Sequence, residues 1–281
     1  MRRLLLAALL SLASLPALAA ERVVSLAPSL SEIMLELDAA DRLVGVLDGG
    51  DRPTALQSVP SVGRYGQVEM ETLLSLRPDL VLLWPDSVPR SQREQLQQFG
   101  IPVLVVEQTR LEGLAEQFVV VGNAVGRAEQ GERLAEQFRA GLAELRSHYL
   151  RAEPLRVFYQ IWNRPLYTLG GRQIISEAIE VCGGQSVFAD LTLAAPQVSI
   201  EAVLARDPEV ILAGSGAQLD EWQAWPQLSA VRSGRLLEVP DKGLERPSFQ
   251  MLGAIRKLCE VMAAAPGAGA LVNVIKARES R

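Results

Sequence analysis

Short apolar runs alternate with helical patterns along most of the chain. RVVSL (22–26) reads as a β-branched strand, and PSLSEIMLEL (28–37) as a helix with Ser29 as N-cap and Glu32 three residues on, a capping-box pattern. RLVGV, a helix over Glu71–Leu76, the run DLVLLW, a polar helix around SQREQLQQFG and the run IPVLVVE continue the series. These strands are apolar at consecutive positions rather than at every second one. That pattern marks burial on both faces and predicts a parallel, doubly wound α/β sheet.

From Arg127 to Leu150 the period changes. Leu134, Phe138, Leu142, Leu145 and Tyr149 recur at spacings of three and four, which predicts one long amphipathic helix. The α/β pattern then restarts with LRVFYQI as strand, QIISEAIEVCG as a helix stopped by Gly183 and Gly184, PEVILAG and GRLLEVP as strands, and SFQMLGAIRKLCEVMAAA as a terminal helix. The restart is also a repetition. QVEMETLLSLRPDLVLLW (67–84) aligns without a gap to QVSIEAVLARDPEVILAG (197–214), pairing Gln67 with Gln197, Glu71 with Glu201 and Pro78 with Pro208. Two similar α/β lobes, 20–126 and 151–265, joined by a bridging helix over 127–150, account for this, and the lobe interface is the expected small-molecule cleft. A tail over 266–281 carries few order signals and is expected to fray.

The segment MRRLLLAALLSLASLPALAA changes the address. A basic start, an apolar run and Ala17-Leu18-Ala19 predict a secretory signal peptide over 1–19. Pro16 interrupts the run, which argues against a membrane span, and no cysteine follows the cleavage region, so a soluble periplasmic product is expected. Removing Arg2 and Arg3 takes the formal charge from −5 to −7, with no basic run elsewhere. Nucleic acid and anionic membranes are poor partners for such a surface. In an oxidising compartment the two cysteines, Cys182 and Cys259, are expected to pair, closing a loop of about eighty residues worth roughly 4 to 5 kcal/mol of chain entropy; two buried thiols are the alternative.

Catalytic patterns are sparse. The single histidine, His148, lies in the long helix, away from any nucleophile–base arrangement, and neither a phosphate loop nor a two-histidine zinc motif occurs. No catalytic or metal-ligating residues and no cofactor are assigned, and the chain reads as a non-enzyme. An exported hydrolase using acidic residues is the rival from another class. Binding residues are better placed, because ligands of open α/β sheets sit beyond the carboxyl ends of strands. Trp84 follows DLVLL at such an end, Tyr65 lies in GRYGQ, and Trp162 and Tyr167 lie in QIWNRPLYTLGG at the matching place of the second lobe. Asp241 and Arg246, in PDKGLERPS after the last strand, are candidate polar contacts.

The stretches RVVSLAPSLSEI, LRPDLVLLW, EVCGGQSVF, PQVSIEAVLARDPEVIL and ERPS resemble, from about Arg22 to Ala264, the periplasmic cobalamin-binding proteins of ABC importers, the BtuF type within the helical-backbone class of substrate-binding proteins. The resemblance implies two Rossmann-like lobes bridged by one rigid helix and a corrinoid in the cleft. It also implies a Cys182–Cys259 disulfide, and Glu71 and Glu201 docking each lobe onto arginines of a permease dimer. Tyr65, Trp84, Tyr167, Asp241 and Arg246 fall on ligand-contacting places. Tyr65 stands where a tryptophan is usual, and Gly49 and Ala195 stand where relatives place an aromatic; Trp162 is the compensating ring. A monomeric receptor that captures cobalamin or a related corrinoid without chemistry is the expectation. The alternative is a haem or ferric-siderophore receptor of the same fold, with Tyr65, Tyr159 or Tyr167 as haem ligand, or Arg64, Arg164 and Arg246 facing an anionic siderophore.

Overall fold

A computed structural model of the chain describes residues 19–50, 52–85, 87–107 and 109–264. The signal peptide expected over 1–19, but for its last residue, and the tail expected over 266–281 lie outside the described residues. The first half contains β1 (Val23–Ser25), α1 (Pro28–Glu36), β2 (Leu43–Asp48), β3 (Ser61–Arg64), β4 (Gln67–Val68), α2 (Met70–Ser75), β5 (Leu80–Leu83), α3 (Arg90–Gln98), β6 (Val103–Val105) and α4 (Leu111–Ala124). Its sheet has the order β4-β3-β2-β1-β5-β6 and is parallel except for β4.

Next comes α5 (Ala128–His148). The second half then adds β7 (Leu155–Asn163), β8 (Leu166–Thr168), α6 (Ile174–Val181), β9 (Gly184–Ser186), α7 (Ile200–Arg206), β10 (Val210–Ala213), α8 (Gly216–Asp220), α9 (Ser229–Arg232), β11 (Leu236–Glu238) and α10 (Met251–Ala264). Here the order is β11-β10-β7-β8, with β9 also on β7 and only β8 antiparallel.

Strand residues alternate between two apolar layers, as consecutive-apolar runs require. Val23 and Leu82 join a central core, whereas Val24, Val81 and Leu83 face a cluster on the outer side of the first sheet. Likewise Val157 and Leu212 face the centre, while Phe158 and Ile211 pack outward against Phe188, Val203 and Trp222. The central core is common to both lobes. It takes Ile33 and Met34 from α1, Phe118 from α4, Phe138 from α5, Ile179 from α6 and Leu258 from α10. Phe118, Phe138 and Phe249 meet with centroids 5.6 to 6.2 Å apart. A Cβ on Gly131 of α5 would stand 2.4 Å from the Phe118 carbonyl oxygen of α4, so glycine is required for these backbones to touch.

The repeated stretch folds the same way twice. In each lobe its helix, α2 or α7, ends in a left-handed residue before proline, Arg77 (φ 47°) or Asp207 (φ 40°), and the chain then enters β5 or β10. An arginine from the lobe's first strand region closes each turn: Arg22 donates to the Leu76 and Arg77 carbonyls, and Arg156 donates to that of Asp207. In return, the acid after each proline accepts the arginine's backbone N–H, Asp79 from Arg22 at 2.9 Å and Glu209 from Arg156 at 3.0 Å. Part of what the two copies share is therefore a turn with a left-handed residue, which this exchange of hydrogen bonds helps to hold.

One local expectation fails. Pro28 occupies the first turn of α1, Ala27 is its N-cap, and no side chain caps it, so the Ser29–Glu32 capping box does not form. Proline favours that first turn because the missing N–H is unneeded there. Glu32 is instead buried and looks across the molecule, pairing with Arg246 and accepting from Ser248 Oγ (3.3 Å) and the Gln250 amide. One turn later Glu36 accepts the backbone N–H groups of Phe249 (2.8 Å) and Gln250 (3.0 Å), just ahead of α10. Two carboxylates of one lobe thus hold the entry to the last helix of the other. The cost of burying charge pushes the Glu36 carboxyl up to about 7, against the lowering effect of its two N–H donors. Glu32 is raised too, by burial, with Arg246 opposing.

Cys182, which ends α6, is disulfide-bonded to Cys259 within α10, 77 positions away. Replacing both cysteines by serine is expected to cost about 2 to 5 kcal/mol of stability, read as a lower urea midpoint that reductant no longer shifts. A raised carboxyl favours the fold while protonated and loses that contribution as pH climbs through its folded value. Between pH 4.5 and about 7, Glu36→Gln should therefore gain roughly 3 kcal/mol on the wild type, measured by denaturant titration at each pH. A constant difference across that range would show Glu36 to be unperturbed.

Candidate functional site

Several of the residues expected to bind lie at or just beyond the carboxyl ends of parallel strands. β3 and β4 form a tight hairpin in which Arg64 pairs with Gln67, and Gly66 supplies the positive φ (77°) that a two-residue turn needs. Tyr65 rides on this turn and is 68% exposed. Trp84 follows β5 and is half-buried against the shared core.

In the second lobe β7 and β8 make the corresponding hairpin around a cis Arg164–Pro165 bond. Trp162 and Tyr167 are cross-strand partners on it. The tryptophan is 58% exposed, with its indole N–H donated to the Arg164 carbonyl at 3.2 Å, and Tyr167 is half-buried. Each hairpin leads into the repeat, through Gln67 on Arg64 and through Gln197 bridging Tyr167. Of these strands β3, β4 and β8 are short and not legible as apolar runs.

Asp241 and Arg246 flank one helical turn, Lys242–Glu245, but serve different partners. Asp241 accepts the Gly243 N–H at 2.8 Å and pairs with Lys257, which with that N–H holds its carboxyl below the usual range. Arg246 reaches Glu32 and lines a small pocket with Pro28, Ser31, Gly49, Gly50 and Arg52 of the first lobe. Arg52 went unnoticed in the sequence. It pairs with Asp48 and donates to the Val59 carbonyl at 2.6 Å, contacts that no local pattern announces.

Gly49 is packed as well as small, since a Cβ there would stand 2.7 Å from Pro28 Cγ. An aromatic at this place would require Pro28 to move. Tyr159 is 2% exposed, and burial together with Glu245 raises its phenol well above the ordinary value, which leaves it a poor axial ligand. Among the described residues no group of His, Cys, Asp and Glu is placed to hold a metal ion.

Glu71 and Glu201 stand exposed in the first turns of α2 and α7, helices that pack on the outer faces through Leu73 and Val203. A helix N-terminus favours such carboxylates by roughly 0.3 to 1 kcal/mol. Backbone and Ser199 donors hold Glu201 below the usual carboxylate range. Beside each helix is a cavity. That in the first lobe, about 660 Å³, is polar, with Asp48, Ser61, Arg64, Gln67 and Glu69 in its wall. Its counterpart of about 400 Å³ is walled by Trp222, Trp225, Val198, Ile200, Gln160 and Asn163. Trp222, fixed by an N–H donated to Gln160 Oε1 at 2.6 Å, was invisible in the sequence because its wall is assembled from three separate segments.

Among the described residues no helix is long and apolar enough to cross a membrane. The family described as periplasmic binding protein matches residues 23–242. A vitamin B12-binding protein of Yersinia pestis is 35% identical over 261 residues, 92% of either chain. The crystal structure of the periplasmic vitamin B12 binding protein BtuF of Vibrio cholerae superposes with a TM-score of 0.78 at 33% identity, covering 86% of this chain and 96% of that one. A periplasmic heme-binding protein, RhuT of Roseiflexus, shares the fold with a TM-score of 0.73 at 24% identity, over 86% of this chain and 98% of its own. Two parallel-sheet lobes, a cross-lobe pocket and these similarities agree: the chain belongs to the periplasmic binding protein family.

Proposed function

We propose that this protein is a soluble, monomeric periplasmic receptor that captures a corrinoid between its lobes, without chemistry, and delivers it to an ABC importer. The observation that carries the reading is the 35% identity to a vitamin B12-binding protein along 92% of both chains. The lobes, 20–126 and 151–265, act as the two jaws, and the helix over 127–150 as their bridge. Tyr65 and Trp84 form one wall, and Trp162 and Tyr167 the other. Asp241 and Arg246 supply polar contacts to the amide side chains of the macrocycle. Rings of this size bury much apolar area and orient a flat ligand through their faces. The core shared by the two lobes supports small lobe movements on capture.

Glu71 and Glu201 are assigned to docking, one on each lobe, against arginines of a two-fold symmetric permease. Their exposure and matched placement in the repeat support the assignment. Charge pairing of this kind orients an encounter more than it tightens one. A haem receptor of the same architecture is the alternative, because Tyr65 presents an exposed phenol.

Absorbance titration of the mature chain with cobalamin, cobinamide and haem tests the reading. Saturable corrinoid binding is expected, and Trp84→Ala should weaken it about tenfold or more; haem binding without corrinoid binding would overturn the proposal. The double reversal Glu71→Lys, Glu201→Lys should abolish corrinoid uptake by cells and leave the titration unchanged. Lost capture in that variant would place these glutamates on the wrong surface.

A further inference from the structure

Arg246 is carried by the second lobe, yet its guanidinium ends among residues of the first. It lines the cross-lobe pocket together with Pro28, Ser31, Gly49, Gly50 and Arg52, and it is ion-paired with Glu32. Glu32 is 6% exposed, sits one residue after the pocket-lining Ser31, and takes further hydrogen bonds from Ser248 and Gln250. A guanidinium has five N–H donors in a rigid fork, so a carboxylate that takes one edge leaves the others aimed in a fixed direction. The Arg246 side chain keeps 30% of its surface open and forms part of the pocket wall.

We propose that Glu32 is a positioning residue of the binding site, which holds the Arg246 guanidinium at the cleft so that the contact joining the lobes also aims the ligand's polar anchor. This rests on the cleft being the corrinoid site. Corrinoid side chains end in amides, whose carbonyl oxygens are the acceptors that a fixed guanidinium suits. Without Glu32 the long, flexible arginine is free to adopt other rotamers, and a ligand must then order it on binding, at a cost in affinity. Glu32 itself needs no contact with the ligand. Its effect passes through Arg246.

The test is a double-mutant cycle read by cobalamin titration of the mature protein. Arg246→Ala and Glu32→Ala are each expected to weaken cobalamin binding about tenfold, and the double variant should bind no more weakly than Arg246→Ala alone. Glu32→Gln retains an acceptor oxygen of the same reach and should recover most of the affinity. If Glu32→Ala does not fold, the cycle runs with Glu32→Asp, whose carboxylate is one methylene further from Arg246, and the same non-additivity is expected. Fold-losses that multiply in the double variant would show Glu32 to act independently of Arg246 and overturn the inference. So would wild-type affinity in either single variant, whatever happens to its melting temperature. Wild-type protein that binds no cobalamin would instead bring down the proposed function itself.

Discussion

Two carboxylates on one helix, Glu32 buried and Glu36 half-buried, tie the lobes of this molecule together. Glu32 and Glu36 lie one helical turn apart on α1, so they share a face, and the donors they accept from all belong to the segment Arg246–Gln250 of the opposite lobe. Desolvating two acids is expensive, and only a full set of donors, including the unsatisfied N–H groups at a helix start, offsets it. Removing one partner from such a network typically costs about 3 to 5 kcal/mol. The apolar core runs through the same place, with Phe249 packed between Phe118 and Phe138. Polar clasp and apolar seam therefore fix the same segment, and the pocket that Arg246 shares with the first lobe is placed by where that segment is held.

The broad architecture was legible because burial on both faces writes itself into consecutive apolar residues. DLVLLW and PEVILAG are strands β5 and β10, and the lobes were found through a repeat whose physical content includes a turn with a left-handed residue, which Arg22 and Arg156 help to hold. Elements without that signature were missed. β4 and β8 are two and three residues long and depend on hairpin pairing rather than on composition. α4 was passed over because Val119, Val120 and Val121 are β-branched and Gly113 and Gly122 interrupt the pattern; contact with α5 overrides those weak local preferences.

At the site, aromatic positions could be picked out by a topological rule, since strand ends are where open sheets bind ligands. Tyr65 and Trp84 follow β3 and β5 and Trp162 lies near the end of β7, whereas Tyr167 sits inside the antiparallel β8. Partnerships could not be picked out. Glu32 looked like half of a capping box, because S-L-S-E before an apolar run is what a capping box looks like, and its real partner is 214 positions away in the chain. Trp222, whose partner Gln160 is 62 positions away, is the same case. Their roles are defined by what the fold brings beside them, and a single sequence holds no record of that.

The disulfide lies closer to the binding function than its distance from the cleft suggests. It ties α6 to α10, and the segment Arg246–Gln250 that the first lobe grips leads directly into α10. A chain with this bond reduced would present that helix less firmly. Oxidation of the two thiols thereby stiffens the helix whose entry the two glutamates hold.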